Sequence, residues 1–162
     1  MVFSWVKPAE DPLYFDRSIQ KKLNTAIQYT YQTTNFSLIN VLDSSVLIPS
    51  GEVACLGQTY RVVDADSLLG FAHFGSGMGR YESFEFVVLY DATRIIRQVE
   101  VLVYRSDHGF EIMNKRWLAQ FSGKTGCGLL YGKDIDAISG ATLSGTSLVN
   151  SIAAICESDK LN

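Results

Sequence analysis

Between residues 59 and 104 the chain runs through four successive segments rich in β-branched and aromatic side chains: Tyr60 to Val63, Leu68 to Phe74, Phe84 to Tyr90 and Ile95 to Tyr104. A period of two sends Phe84, Phe86, Val88 and Tyr90 one way and Glu85, Val87 and Leu89 the other. Asp91-Ala-Thr-Arg94 supplies a short turn into Val99, Val101 and Val103. Strands this close in sequence pair most simply as an antiparallel meander. Helical spacing flanks them. Ile19, Leu23, Ala26 and Ile27 make one stripe between Asp16 and about Tyr31, and Met113, Trp117, Leu118 and Phe121 make a second, with Gly123 where a helix C-terminal glycine stands. Leu148, Val149, Ile152, Ile155 and Cys156 make a third. The expected class is α+β, an antiparallel sheet with helices packed on it. Residues 32 to 57 are mixed in pattern.

Composition narrows what such a fold can do. At 162 residues, 47% hydrophobic and 19% charged, the chain is long and apolar enough to fold on its own. A net charge of −3 with no long Lys/Arg cluster argues against a nucleic-acid partner. Cys55, Cys127 and Cys156 include no C-x-x-C pair, and His73 and His108 are the only histidines. No metal site is expected, and an odd, sparse cysteine set predicts no disulfide framework. The opening apolar stretch is too short for a signal peptide and no run of about 18 apolar residues occurs. The expectation is either a cytoplasmic protein or one whose leader or anchor lay before residue 1.

Several short motifs fail on context. Gly75-Ser-Gly-Met-Gly79 lacks the last glycine of a dinucleotide fingerprint, since Arg80 stands there, and reads as a flexible turn between strands. Gly123-Lys-Thr125 lacks the first glycine of a P-loop. Ser18-Ile-Gln-Lys21, Ser106-Asp107 and Lys124-Thr125-Gly126 follow the chain order of serine β-lactamases, with Ser18 as nucleophile and Lys21 beside it, but His108 replaces the expected asparagine. That acyl-enzyme reading is the remote alternative.

Asp136-Ala-Ile-Ser-Gly-Ala-Thr142 carries the most information. Ser139, Gly140 and Ala141 keep bulk away from the backbone just before the third helical stripe, and Thr142 puts a hydroxyl there. Such a turn lets a phosphate approach unpaired N–H groups at the positive end of a helix dipole. The residues allow such a site without demanding it: on physics alone the stronger reading is a small-residue helix start capped by Ser139, Thr142 or Ser144.

The order of these residues resembles the FMN-binding domain family, whose members include flavin-carrying components of the sodium-pumping NADH:quinone reductase and of the Rnf complex. The resemblance runs from about residue 59 to 156. It includes Gly70-Phe71, the glycines from 75 to 79, the strand pair from Phe84 to Tyr104, Gly109-Phe-Glu111, Lys115 to Phe121, and D-x-x-S-G-A-T at 136 to 142. Ser106-Asp-His-Gly109 departs from the family's Glu-Thr-Pro-Gly. The resemblance implies an FMN joined through a phosphoester to Thr142, with Ser139, Gly140, Ala141, Leu143 and Ser144 along the phosphate and ribityl chain. It further implies Asp136 as a loop cap or a residue read by a flavin transferase, and Gly109, Glu111 and Trp117 beside the ring; a core position for Trp117 is equally open. The implied function is an electron carrier with no catalytic site of its own. Its partners would be a flavin transferase and a redox protein or membrane electron-transfer complex, on the extracytoplasmic side and anchored by a segment this chain lacks. A noncovalent FMN protein or flavin reductase is the alternative; a ligand-free sensory or scaffold domain is another. The expected division is an N-terminal helix and extension, 1–58, packed on an FMN-binding domain, 59–162.

Overall fold

A computed structural model describes residues 17–42, 47–49 and 57–160. Six strands form one sheet in the order β2-β1-β3-β4-β5-β6, all neighbours antiparallel: β1 Ser37–Asn40, β2 Leu47–Pro49, β3 Gln58–Asp64, β4 Ser67–Met78, β5 Ser83–Asp91 and β6 Ile96–Val103. The expected meander is β3 to β6. Helix α1, Arg17–Tyr31, covers one face, and α2, Lys115–Leu118, with α3, Thr142–Asp159, covers the other. The alternation in β5 decides this layering. Phe84, Phe86, Val88 and Tyr90 pack with Leu148, Val149 and Ile152 of α3, while Val87 and Leu89 pack with Leu23, Ala26 and Ile27 of α1. Residues 17–58 thus contribute α1, β1, β2 and the first residue of β3 to the same sheet sandwich.

The two buried carboxylate residues Glu85 and Glu100 each have a charged partner. Glu85 is 6% exposed and takes both guanidinium nitrogens of Arg105, at 2.7 and 3.0 Å. Glu100 is 8% exposed and meets Lys22 at 3.4 Å. His73 on β4 lies 2.8 Å from the Thr59 hydroxyl, and burial, helped by the nearby Arg94 charge, lowers its pKa from 6.5 to about 4. The folded state therefore keeps His73 neutral where the unfolded chain takes up a proton. This contribution to stability is complete above pH 6.5 and is lost as pH falls toward 4, to a maximum of about 3 kcal/mol. Urea titrations at pH 7 and 4.5 should show that His73→Gln flattens this part of the pH dependence.

Three expectations need correction. Gly75 to Met78 are strand, not turn: β4 runs on to Met78, opposite Ser83, and turns only beyond it. The rings of Phe86 and Phe84 lie across Gly75 and Gly77, filling the space side chains would take; a methyl on Gly75 would stand 2.6 Å from Phe86 Cζ. The second helical stripe is broken into a 3₁₀ turn at Phe110–Met113, α2, and another 3₁₀ turn at Ala119–Phe121. Asn114 interrupts it, its Oδ1 accepting from the amides of Arg116 and Trp117 as an N-cap. Finally, Cys127 and Cys156 form a disulfide, with Cα atoms 5.1 Å apart across 29 residues of sequence. Cys55 lies outside the described residues.

One close approach fixes α1 against the sheet. Gly70 packs so tightly that a methyl there would run into the Tyr90 carbonyl and stand 2.7 Å from the Tyr31 ring. The Tyr31 hydroxyl donates at 2.7 Å to that carbonyl. Gly70→Ala must move backbone as well as side chain, and a loss of about 2 to 3 kcal/mol is expected in chemical denaturation.

Candidate functional site

Residues 123 to 141 link α2 to α3 as a loop, and five of its glycines have φ between +68° and +92°: Gly123, Gly126, Gly128, Gly132 and Gly140. A side chain would be strained at each, so the loop's path depends on glycine. Side chains then clamp it. Trp117 Nε1 donates to the Asp136 carbonyl at 2.7 Å and Gln120 Oε1 accepts from the Asp136 amide at 2.9 Å. The Tyr131 hydroxyl accepts from the Ile138 amide at 2.9 Å, and its ring lies over Gly145 of α3. The motif is thereby fastened to α2 on one side and α3 on the other.

Ala141, 2% exposed, is the N-cap and makes no side-chain cap, so neither Ser139 nor Thr142 closes the helix end. The first helical bond runs from Gly145 to the Ala141 carbonyl at 2.8 Å, which leaves the amides of Thr142, Leu143 and Ser144 ahead of the ladder. Thr142 and Leu143 are exposed, as are Asp136, Ser139 and Gly140. Ser144 is buried at 2% and shares a 2.7 Å hydrogen bond with the Tyr104 hydroxyl, which itself donates to the His108 carbonyl at 2.6 Å. Gly79 and Gly109 close on this pair; a methyl on Gly109 would stand 2.5 Å from the Tyr104 hydroxyl and 2.7 Å from Ser144 Oγ. Two further bonds seat α3 on β4: the Met78 amide donates to Ser147 Oγ at 2.7 Å and Ser151 Oγ to the Ser76 carbonyl at 3.2 Å.

Glu111 reaches the motif from the 3₁₀ turn after Gly109. Its Oε1 stands 2.5 Å from where a Gly140 methyl would be, and its buried Oε2 has no hydrogen-bond partner. Trp117 is 6% exposed, its ring edge-on to Phe121 at 5.8 Å. It stands in the core behind the loop. Sequence reasoning missed Tyr104, Tyr131 and Ser147, whose hydroxyls join distant segments; nothing local in the sequence marks them.

The decoys do not assemble. Gly123 and Lys124 seal the outer edge of β6 through the backbone of Ile96, and Ser18 and Lys21 are exposed on α1, in the layer opposite α3. A groove of about 750 Å³ between α1, β6 and α2, edged by Lys21, Arg97 and Lys115, shares no residue with the motif loop. Among the described residues no His, Cys, Asp or Glu cluster can hold a metal, and no helix is long and apolar enough to cross a membrane.

The architecture is thus an α+β sandwich in which a glycine-rich, side-chain-clamped loop delivers an exposed threonine to the open N-terminus of a long helix. Among solved structures it is similar to the crystal structure of Shewanella oneidensis NqrC, with a TM-score of 0.56 and 15% identity over 88% of this chain and 98% of that one. That likeness is one of fold. No protein-family model matches the chain, and no curated protein sequence matches it.

Proposed function

We propose that this protein is an electron carrier holding FMN through a phosphoester on Thr142. The observation that carries the reading is the position of Thr142, exposed as the first residue of α3 in an NqrC-like fold, with unladdered amides beside it. The residues fit the group. A phosphate on Thr142 meets the amides of Leu143 and Ser144 at the positive end of an 18-residue helix. Gly140 lets the Glu111 carboxylate stand close against the motif, and its unpartnered Oε2 offers an acceptor to a ribityl hydroxyl. Exposed Leu143, Phe110 and Met113 provide apolar surface at this end of the molecule.

Bound there, FMN supplies one- and two-electron chemistry that the side chains lack. Ser144, pinned by Tyr104, holds the first turn of α3 in place. Trp117 and Gln120 hold the Asp136 backbone and leave its carboxylate exposed for recognition by a flavin transferase. A noncovalent site for about 31 heavy atoms at roughly 0.3 kcal/mol each gives about 9 kcal/mol, near submicromolar affinity. Such a site empties where free flavin is dilute; a phosphoester does not. We place the protein on the extracytoplasmic side, serving a redox protein or membrane complex, and the Cys127–Cys156 disulfide supports that compartment.

Intact mass after coexpression with a flavin transferase tests the reading. The chain should gain one FMN less one water and keep in-gel fluorescence after denaturation. A colour lost on denaturation and gel filtration points instead to a noncovalent flavin protein, and a colourless chain at polypeptide mass overturns both.

A further inference from the structure

The exposed apolar residues near α3 include one large aromatic whose position no motif explains. Tyr81, at the tip of the β4–β5 hairpin, is 60% exposed, and its ring has two neighbours. The His108 ring lies 5.8 Å away at 58°, and the Arg80 guanidinium stands 5.2 Å from the ring centroid. His108 is tied to the proposed site, because its carbonyl accepts from the Tyr104 hydroxyl, which bonds Ser144 two residues after Thr142. Gly79, two residues before Tyr81, packs against the same Ser144 hydroxyl. Met78 on β4 and Leu143 on α3 are exposed as well, at 54% and 59%.

We infer that Tyr81, braced by His108, is the wall on which the isoalloxazine ring of the Thr142-linked flavin packs; this rests on the flavin reading above. Phe110, 54% exposed beside Glu111, is a second outward-facing ring, whereas three other aromatic groups around the site are committed elsewhere. Trp117 is buried with its indole N–H on Asp136, Tyr104 lies tilted by 33° against Phe84 at 5.7 Å with its hydroxyl engaged, and Tyr131 lies over Gly145. Thr142 tethers the phosphate within the same cluster, and the five-carbon ribityl arm lets the ring swing to an outward-facing aromatic surface. Flat aromatic groups gain from offset stacking beyond the area they cover. Tyr81 is therefore a positioning residue, orienting the ring and covering one of its faces.

Flavin emission reads this contact directly. A phenol in van der Waals contact donates an electron to the excited flavin and takes it back as the pair decays, which quenches fluorescence; a phenylalanine ring is too hard to oxidise to do so. Wild type, Tyr81→Phe, Tyr81→Leu and the control Tyr29→Phe, on the opposite layer, are coexpressed with the transferase and weighed before emission is measured. With FMN attached in all four, Tyr81→Phe and Tyr81→Leu should brighten several-fold with unchanged circular dichroism, and Tyr29→Phe should match wild type. Emission equal to wild type in both Tyr81 variants overturns the stacking proposal and leaves the Thr142 reading standing. Absence of the FMN mass from wild type overturns the Thr142 reading and the stacking proposal with it.

Discussion

Thr142→Val is expected to abolish the FMN mass increment completely while leaving the protein folded. Valine keeps the branched shape of threonine and removes the hydroxyl, the only atom of that side chain able to form a phosphoester. In the proposed attachment step Thr142 Oγ1 would bond to the flavin-side phosphorus of FAD, the pyrophosphate bond to AMP would break, and the hydroxyl proton would leave. Thr142→Ser retains the nucleophile and should still gain FMN. The substitution can be read cleanly because of where Thr142 stands: it is exposed, and no side-chain cap of α3 is lost. Surface changes of this kind usually move stability by less than about 0.5 kcal/mol. The melting temperature of the colourless valine variant should match that of unflavinylated wild type. Valine protein that still carries FMN places the bond on another residue, Ser139 and Ser144 being the nearest hydroxyls along the chain.

The sheet was legible because its strands are runs of β-branched and aromatic residues, near-continuous in β5 where both faces are covered. The division of β5 into two opposite sets of side chains matches the structure, which adds that the Phe84 set meets α3 and the Val87 set α1. The motif was legible because small residues before a helical stripe are a local pattern. What failed was non-local. Nothing near Gly75 or Gly77 reveals that Phe86 and Phe84 will fill their places from the neighbouring strand. Asn114, which breaks the second helix, announces its cap only once the chain before it has turned. Trp117 sat at helical spacing whichever way it faced, and its bond to Asp136, 19 residues later, is what sets it behind the loop. Tyr81 belongs with these: its relation to Thr142 passes through Gly79, His108, Tyr104 and Ser144, four residues drawn from three segments of the chain.

The cysteines show the same limit with a larger energetic consequence. Counting and spacing suggested no pairing, yet Cys127, set between the positive-φ Gly126 and Gly128, meets Cys156 near the end of α3. The bond closes a loop containing the entire segment from Asp136 to Thr142. Joining residues 29 apart removes unfolded-chain entropy worth about 3.5 kcal/mol. Cys127→Ser or added reductant should therefore lower the melting temperature by about 7 to 14 °C in a domain of this size. The loss should not fall evenly. Gly126 packs on Ile152 of α3, at 3.2 Å from where its methyl would be, so the disulfide and this contact together hold the loop to the helix. Without the disulfide, amide hydrogen exchange should accelerate first between residues 127 and 141, while the central β5 amides, covered on both sides, exchange only on global unfolding. Equal melting temperatures with and without reductant, with both thiols shown free by alkylation, would contradict the stabilising role. Because Thr142 is presented by this loop, the reduced protein should also accept FMN more slowly from the transferase. The site and the staple are thus parts of one arrangement: a segment without helix or strand of its own keeps its shape because Leu129, Ile135 and Ala141 are buried in the core and it is tied at Cys127, clamped at Asp136 and continued into α3.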